Sequence, residues 1–258
     1  MTTLNRAFRT FLAVVGPCLI AVSHAQDAAP DARWSIGATG WAGAAHRMLI
    51  NTDGSALAAR IIDLRNDREH ADLALGVGLL ANYRLSARFS LEAGAAYARF
   101  GYAHDVALGD LSFGDPIDPR RGFIYNTDDF AMPSSWRFVD RFHYLQLPLG
   151  VVMELGQGRW RSTTTLGAAP AFLLAAKGLT VRTYGDGRVE RERFEPLEDF
   201  ASFNLIAYLG TGVAFSSSER WQWQLRPTLQ YGALRIIDAP VSARIGSLTL
   251  NAGVRMAL

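Results

Sequence analysis

Four histidines lie beyond the first 25 residues, at His46, His70, His104 and His143, with Asp72, Asp105 and Asp140 near them in sequence. Imidazole is the commonest metal-binding side chain and titrates near neutral pH, so a histidine rim could capture a metal or sense pH. The spacings match no compact zinc or metalloprotease motif. The ordinary reading is four solvated or interfacial rings, and the expectation is no metal and no cofactor, with the rim as the alternative. Hydrolysis would need a nucleophile beside a base and an orienting acid. Ser134 or Ser135 with His143 supplies the residue types, yet no G-x-S-x-G elbow or comparable constellation surrounds them. Asp110, Asp115, Asp118, Asp128 and Asp129 crowd one long loop without the spacing of a calcium-binding hand. The chain therefore reads as a non-enzyme.

The elements that would position these groups have a period of two. Eight alternating segments can be traced, at about 33–45, 71–85, 89–102, 143–155, 159–176, 202–215, 221–236 and 247–258. In the second, Leu73, Leu75, Val77, Leu79, Ala81, Tyr83 and Leu85 share one face, and Leu80 is the one bulky residue on the other. In the fourth, Leu145, Leu147, Leu149, Val151, Met153 and Leu155 oppose Gln146, Pro148, Gly150 and Glu154. Each segment is long enough for a tilted strand to cross a bilayer, which takes about 9–11 residues. No long amphipathic helix is evident. No apolar run reaches the roughly 20 residues of a spanning helix, and a mean hydropathy of +0.06 suits a barrel diluted by alternation.

Short and long connections alternate. "SAR", "GQG" and "SSSER" are tight, whereas about 46–70, 103–140, 177–201 and 237–246 are longer. This predicts an all-β fold, an eight-stranded antiparallel up-and-down transmembrane β-barrel with short periplasmic turns and longer extracellular loops. Residues 1–25 read as a cleaved signal peptide: Arg6 and Arg9, then "FLAVVGPCLIAV", then "SHA" before Gln26. Residues 26–32 would be a short periplasmic segment and 33–258 the barrel. The leader contains the only cysteine, Cys18, and two of the arginines, so its removal takes the formal net charge from +2 to zero. Nucleic acid is thus not an expected partner; outer-membrane lipids are, with other envelope proteins reached through loops. Lys177 is the only lysine, which is unusual for a water-covered surface.

A soluble lipocalin-like barrel shares the alternation but turns its bulky residues inward. Here the polar face carries glycine, alanine, serine and threonine with few charges of both signs, which suits a cramped lumen. The expected lumen network is Asp72, Arg84, Glu92, Gln146, Glu154, Asn204, Gln224, Arg226, Gln230, Asn251 and Arg255. It would plug the pore. Trp34, Trp160, Trp221 and Trp223 sit at turn-side ends of the apolar face, as an interfacial belt requires. Pro148, Pro170 and Pro227 fall inside strands and predict a bulge or ladder break at each.

"YLQLPLGVVMEL" resembles the Tyr-Leu-polar-Leu-Pro-Leu strand of the PorT-like outer-membrane β-barrel family. "YRLSARFSLEAGAAYARFG" is similar to that family's strand–turn–strand, and the last segment to its closing strand. The resemblance implies an eight-stranded outer-membrane barrel and, as one functional alternative, an accessory part of a protein secretion apparatus. An outer-membrane lipid-modifying enzyme is a further alternative on the same scaffold. The chain departs from many such barrels in ending on Leu258 instead of an aromatic residue.

Overall fold

The period-two segments become a closed ring of antiparallel strands in the computed structural model, which describes residues 33–52, 54–107, 133–195, 200–237 and 241–258. The expected leader, the segment 26–32 and the five aspartates of the long loop lie outside these residues. The strands are β1 (Trp34–Asn51), β2 (Glu69–Arg84), β3 (Phe89–Ala107), β4 (Pro133–Gln146), β5 (Leu149–Leu155), β6 (Trp160–Tyr184), β7 (Val189–Phe194), β8 (Phe203–Ser216), β9 (Trp221–Gly232) and β10 (Val241–Ala257). β4 and β5 are two parts of one wall. Each remaining ring strand pairs with its sequence neighbour, and β1 pairs with β10 from Ser35↔Ala257 to Asn51↔Val241, which closes the cylinder. β7 stands off the ring as the return arm of a hairpin with β6. The architecture is therefore an eight-stranded up-and-down barrel, and closure leaves no unpaired sheet edge around the ring.

The outward face is the apolar one. Leu79 is 70% exposed and Trp160 64%, and Leu73, Val77, Leu145, Leu149, Val151, Leu166, Leu209, Leu225, Leu248 and Leu250 are exposed with them. The inward face buries Thr39, Glu92, Thr165, Arg226, Thr228 and Arg255. This is the inverse of a soluble barrel. The four turn-side tryptophans are exposed, and two are braced by neighbouring rings, Trp34 by Tyr83 at 4.8 Å and Trp160 by Phe215 at 4.7 Å between centroids. No helix among the described residues is long and apolar enough to cross a membrane.

The prolines break ladders without shifting register. Gly94 N donates to the Pro148 carbonyl and Leu147 N to that of Pro170, but neither proline can return the bond, so the wall parts between β4 and β5. Pairing continues in one register across the gap, from Gln146↔Ala171 to Leu149↔Ala168. Pairing of β8 with β9 likewise lapses between Gly210↔Thr228 and Val213↔Leu225, beside Pro227. The register shifts within the ring fall elsewhere, between Ala71 and Leu75 on β2, between Pro133 and Ser135, and between His143 and Tyr144 on β4.

Two long connections are more structured than their sequences suggest. The first holds α1 (Ala56–Arg68), which buries only Ala58 and so lacks the apolar stripe that periodicity detects. Local hydrogen bonds start it: Ser55 Oγ accepts from Ala58 N at 3.1 Å, and Asn51 Nδ2 donates to the Ser55 carbonyl at 3.0 Å. Arg65 and Arg68 sit in its last turn, where the helix dipole favours cations. The third is built largely as a hairpin: β6 runs on to Tyr184, the chain turns at Gly187, whose φ of 84° suits a residue without a side chain, and β7 returns along β6.

Candidate functional site

Polar side chains from opposite walls converge in the lumen and bridge it at successive levels. At the turn-side end, Glu92 of β3 accepts a hydrogen bond from Arg255 of β10 at 3.0 Å and lies 3.6 Å from Arg226 of β9. Glu154 of β5 accepts from Arg255 and from Gln222, each at 3.3 Å, and stands 3.5 Å from Arg161. Arg226 also donates to Thr165 Oγ1. Apart from Glu154 with Arg161 on the adjoining β6, these contacts span strands that are not neighbours in the ring. Such burial is tolerable only because each charge has partners, since an isolated buried ion costs on the order of several kcal/mol.

Above this cluster is a cavity lined by Thr39, Trp41, Gln146, Tyr208, Thr228 and Asn251, among others. Thr39 Oγ1 donates to Asn251 Oδ1 at 3.1 Å, and Asn251 Nδ2 to Thr228 Oγ1 at 3.2 Å. Next comes an apolar layer in which Trp41, Phe100, Tyr144 and Ile206 pack with Ala45, Ala74, Ala96, Ala98, Ala169 and Ala171. Alternation alone predicts small and polar residues here. Large rings fit because alanines stand beside them, and a small barrel fills its interior by mixing sizes. Gly76 makes room for Trp41 directly: a Cβ there would collide with the indole.

At the loop-side end, Arg47 of β1 donates through Nε to Glu69 Oε2 at 3.0 Å, through Nη2 to Glu69 Oε1, and through Nη1 to Tyr102 Oη at 2.8 Å. Both charged side chains are buried. Tyr102 stacks on Phe142 at 6.0 Å, and Phe142 meets Phe200 edge-on at 4.8 Å. The alternating segments end at residue 45 and resume at 71, so this pair falls outside them. One signal does mark it: Arg47 continues the inward phase of Ser35, Thr39 and Ala45.

Ten of the eleven residues assigned to the lumen from sequence lie on its inward face, with Arg84 half-buried at the turn-side mouth beside Glu154 and Gln222. Asp72 is the exception. The bulge on β2 between Ala71 and Leu75 turns its carboxylate outward, over Gly101, where it accepts from Arg141 Nε at 3.1 Å. Alternation cannot foresee one extra residue, and each such insertion flips the facing of the residues beyond it.

The four histidines do not share one site: His143 bonds outward to Tyr97 Oη, His46 lies against the backbone of His70, His70 is 3.6 Å from Asp105, and His104 shares the inward phase of Tyr102. Among the described residues no group of three or more His, Cys, Asp or Glu is placed to hold a metal ion. Ser134 donates to the Thr183 carbonyl at 2.9 Å. It lies nine residues from His143 along one strand wall, about 30 Å at the usual rise, so the two cannot act together. Ser135, one residue closer, is still far out of reach.

No family model matches the chain, and no curated protein does. Solved structures similar to it include Neisserial surface protein A, with a TM-score of 0.39, 14% identity, and 87% of this chain and 97% of that one covered. OprG of Pseudomonas aeruginosa gives 0.42, 13%, 88% and 96% for the same measures. The outer membrane protease OmpT of Escherichia coli gives 0.38, 8%, 91% and 99%.

Proposed function

We propose that this chain is an integral outer-membrane β-barrel that works without catalysis and without an open pore, through the structures at its loop-side end. The outward belt carries the reading. From Phe89 to Tyr97 on β3, from Leu145 to Leu155 across β4 and β5, and from Leu248 to Met256 on β10, the outward-facing residues include no charge. A girdle of that height, edged by tryptophans at the turn side, matches a transmembrane barrel in lipid. In water it would be an exposed apolar patch far beyond the few hundred Å² a soluble monomer tolerates. The ion-pair cluster and the aromatic layer argue against solute flow, and α1 and the β6–β7 hairpin offer ordered surfaces to an envelope partner.

The test is fractionation with planar-bilayer recording. The protein should sediment with outer membranes, resist carbonate extraction, and show faster gel migration unheated than boiled. It should pass no stable current. Recovery in the soluble periplasmic fraction would overturn the membrane reading, and a large steady conductance would overturn the plugged lumen. A second reading, an accessory barrel of a secretion apparatus, is favoured by the Tyr144–Leu155 motif and its PorT-like resemblance. Crosslinking in cells that recovers secretion-system components would select it.

A further inference from the structure

Just above the uncharged belt, on one side of the barrel, the outward face becomes cationic. Arg99 follows Tyr97 on β3. Arg141 follows His143 and Leu145 on β4. Lys177, the only lysine in the chain, follows the outward Phe172 on β6. These strands are consecutive neighbours. Arg99 is the register partner of His143, and Arg141 faces Gly101 on one side and Lys177 on the other. Two cations directly opposite on a sheet repel, and nothing in the ladder requires them there. Among the described residues Asp72 is the one carboxylate that pairs with them, through Arg141 Nε. Arg99 donates through Nη2 to the Leu73 carbonyl at 3.3 Å, while its buried Nε has no partner among the described residues. Lys177 is exposed opposite Arg141. Higher up, the outward cation Arg137 is answered by Asp105 at 3.6 Å, and Arg244 donates to Tyr231 Oη at 2.7 Å. Among the described residues, then, the triad of cations faces a single carboxylate.

We propose that Arg99, Arg141 and Lys177 form a binding site for the phosphate of an outer-leaflet lipid whose acyl chains lie on the adjoining Tyr97, Leu145 and Phe172. This rests on the membrane reading above and goes further, since it names a ligand class and a position. The height of the site sets the occupant: cations at the rim of an acyl-facing belt meet headgroups, and a phosphomonoester between Arg141 and Lys177 would relieve their repulsion. A cation near a charged lipid surface contributes roughly fivefold in affinity, so three opposed by one Asp72 predict a preference of at least about tenfold.

Native mass spectrometry of the refolded full-length barrel can read this, with dioleoyl phosphatidic acid and dioleoyl phosphatidylcholine as competing probes. The wild-type protein should retain phosphatidic acid over phosphatidylcholine by about tenfold or more. The triple variant R99Q/R141Q/K177Q should retain both alike, while Arg137→Gln and Arg244→Gln keep the preference. Heat-modifiable migration, unchanged in every variant, reports folding separately. Equal retention of the two lipids by the wild-type barrel would overturn the site, as would a preference that survives the triple substitution. A chain that fails to insert into neutral bilayers would overturn the membrane reading itself, and the site with it.

Discussion

Glu92 Oε2 and Arg255 Nη2 meet at 3.0 Å across the lumen, although their strands, β3 and β10, are separated in the ring by β1 and β2. The bond is a strut through the axis. Arg255 also reaches Glu154 on the far wall at 3.3 Å, so one guanidinium ties together the first and second halves of the chain.

Removing one partner should be far costlier than removing both. Glu92→Met leaves Arg226 and Arg255 buried without their shared anion, a loss of about 3–5 kcal/mol. Arg255→Met likewise removes the 3.0 Å donor of Glu92 and one of the partners of Glu154. The double variant should fall well short of the sum, with a coupling of about 1–3 kcal/mol. Urea unfolding in detergent micelles measures all three; strict additivity would mean the strut is no unit.

The ladder breaks at Pro148 and Pro170 make an opposite prediction. Pro148→Ala supplies an N–H for the Gly94 carbonyl and Pro170→Ala one for that of Leu147, since each reciprocal bond is already in place. Each substitution should stabilise by about 1 kcal/mol, the net worth of a hydrogen bond. In the Pro148→Ala variant, the amide gained at that position should exchange slowly with deuterium. Free exchange there would show that the wall stays open for reasons other than proline.

Alternation encodes strand number and facing, and both were legible in the sequence. The outward leucines, Trp160 and the inward Glu92, Glu154, Arg226 and Arg255 all keep to period two. The partners of Glu92 were not legible, because residues that pair across a lumen are far apart in sequence and no spacing rule links them. Asp72 was misplaced by a bulge, and Arg47 was lost because β1 and β2 extend beyond the belt into segments where apolar alternation ceases. α1 escaped notice because its helix rests on capping and a solvated surface, without an apolar stripe.

Trp41 is a large lumen side chain that alternation does not place there, and Gly76 on β2 is its complement. Gly76→Ala puts a methyl group into the indole, and rigid cores resist such overpacking at about 1–3 kcal/mol. Trp41→Phe should offset part of the loss by freeing space. Unfolding midpoints of the two single variants and the double variant check this, and no rescue by Trp41→Phe would move the strain elsewhere.

The Arg47–Glu69 pair makes the loop-side end an ordered surface. Glu69 is the residue that caps the C-terminus of α1, and its N–H bonds to the Arg65 carbonyl while its carboxylate is gripped by Arg47, which also donates to Tyr102. The helix buries one small side chain, so packing alone cannot hold it. Arg47→Met therefore should release α1 from the barrel while the belt and its pairing persist, because Arg47 lies above the uncharged zone. Limited trypsin digestion gives the readout. In the wild-type protein Arg60, Arg65 and Arg68 should be cut slowly, and in Arg47→Met about tenfold faster or more, a change equivalent to the roughly 1.4 kcal/mol or greater that a broken buried pair supplies. Heat-modifiable migration should not change. Cleavage at the wild-type rate would mean that α1 is held by something other than this ion pair.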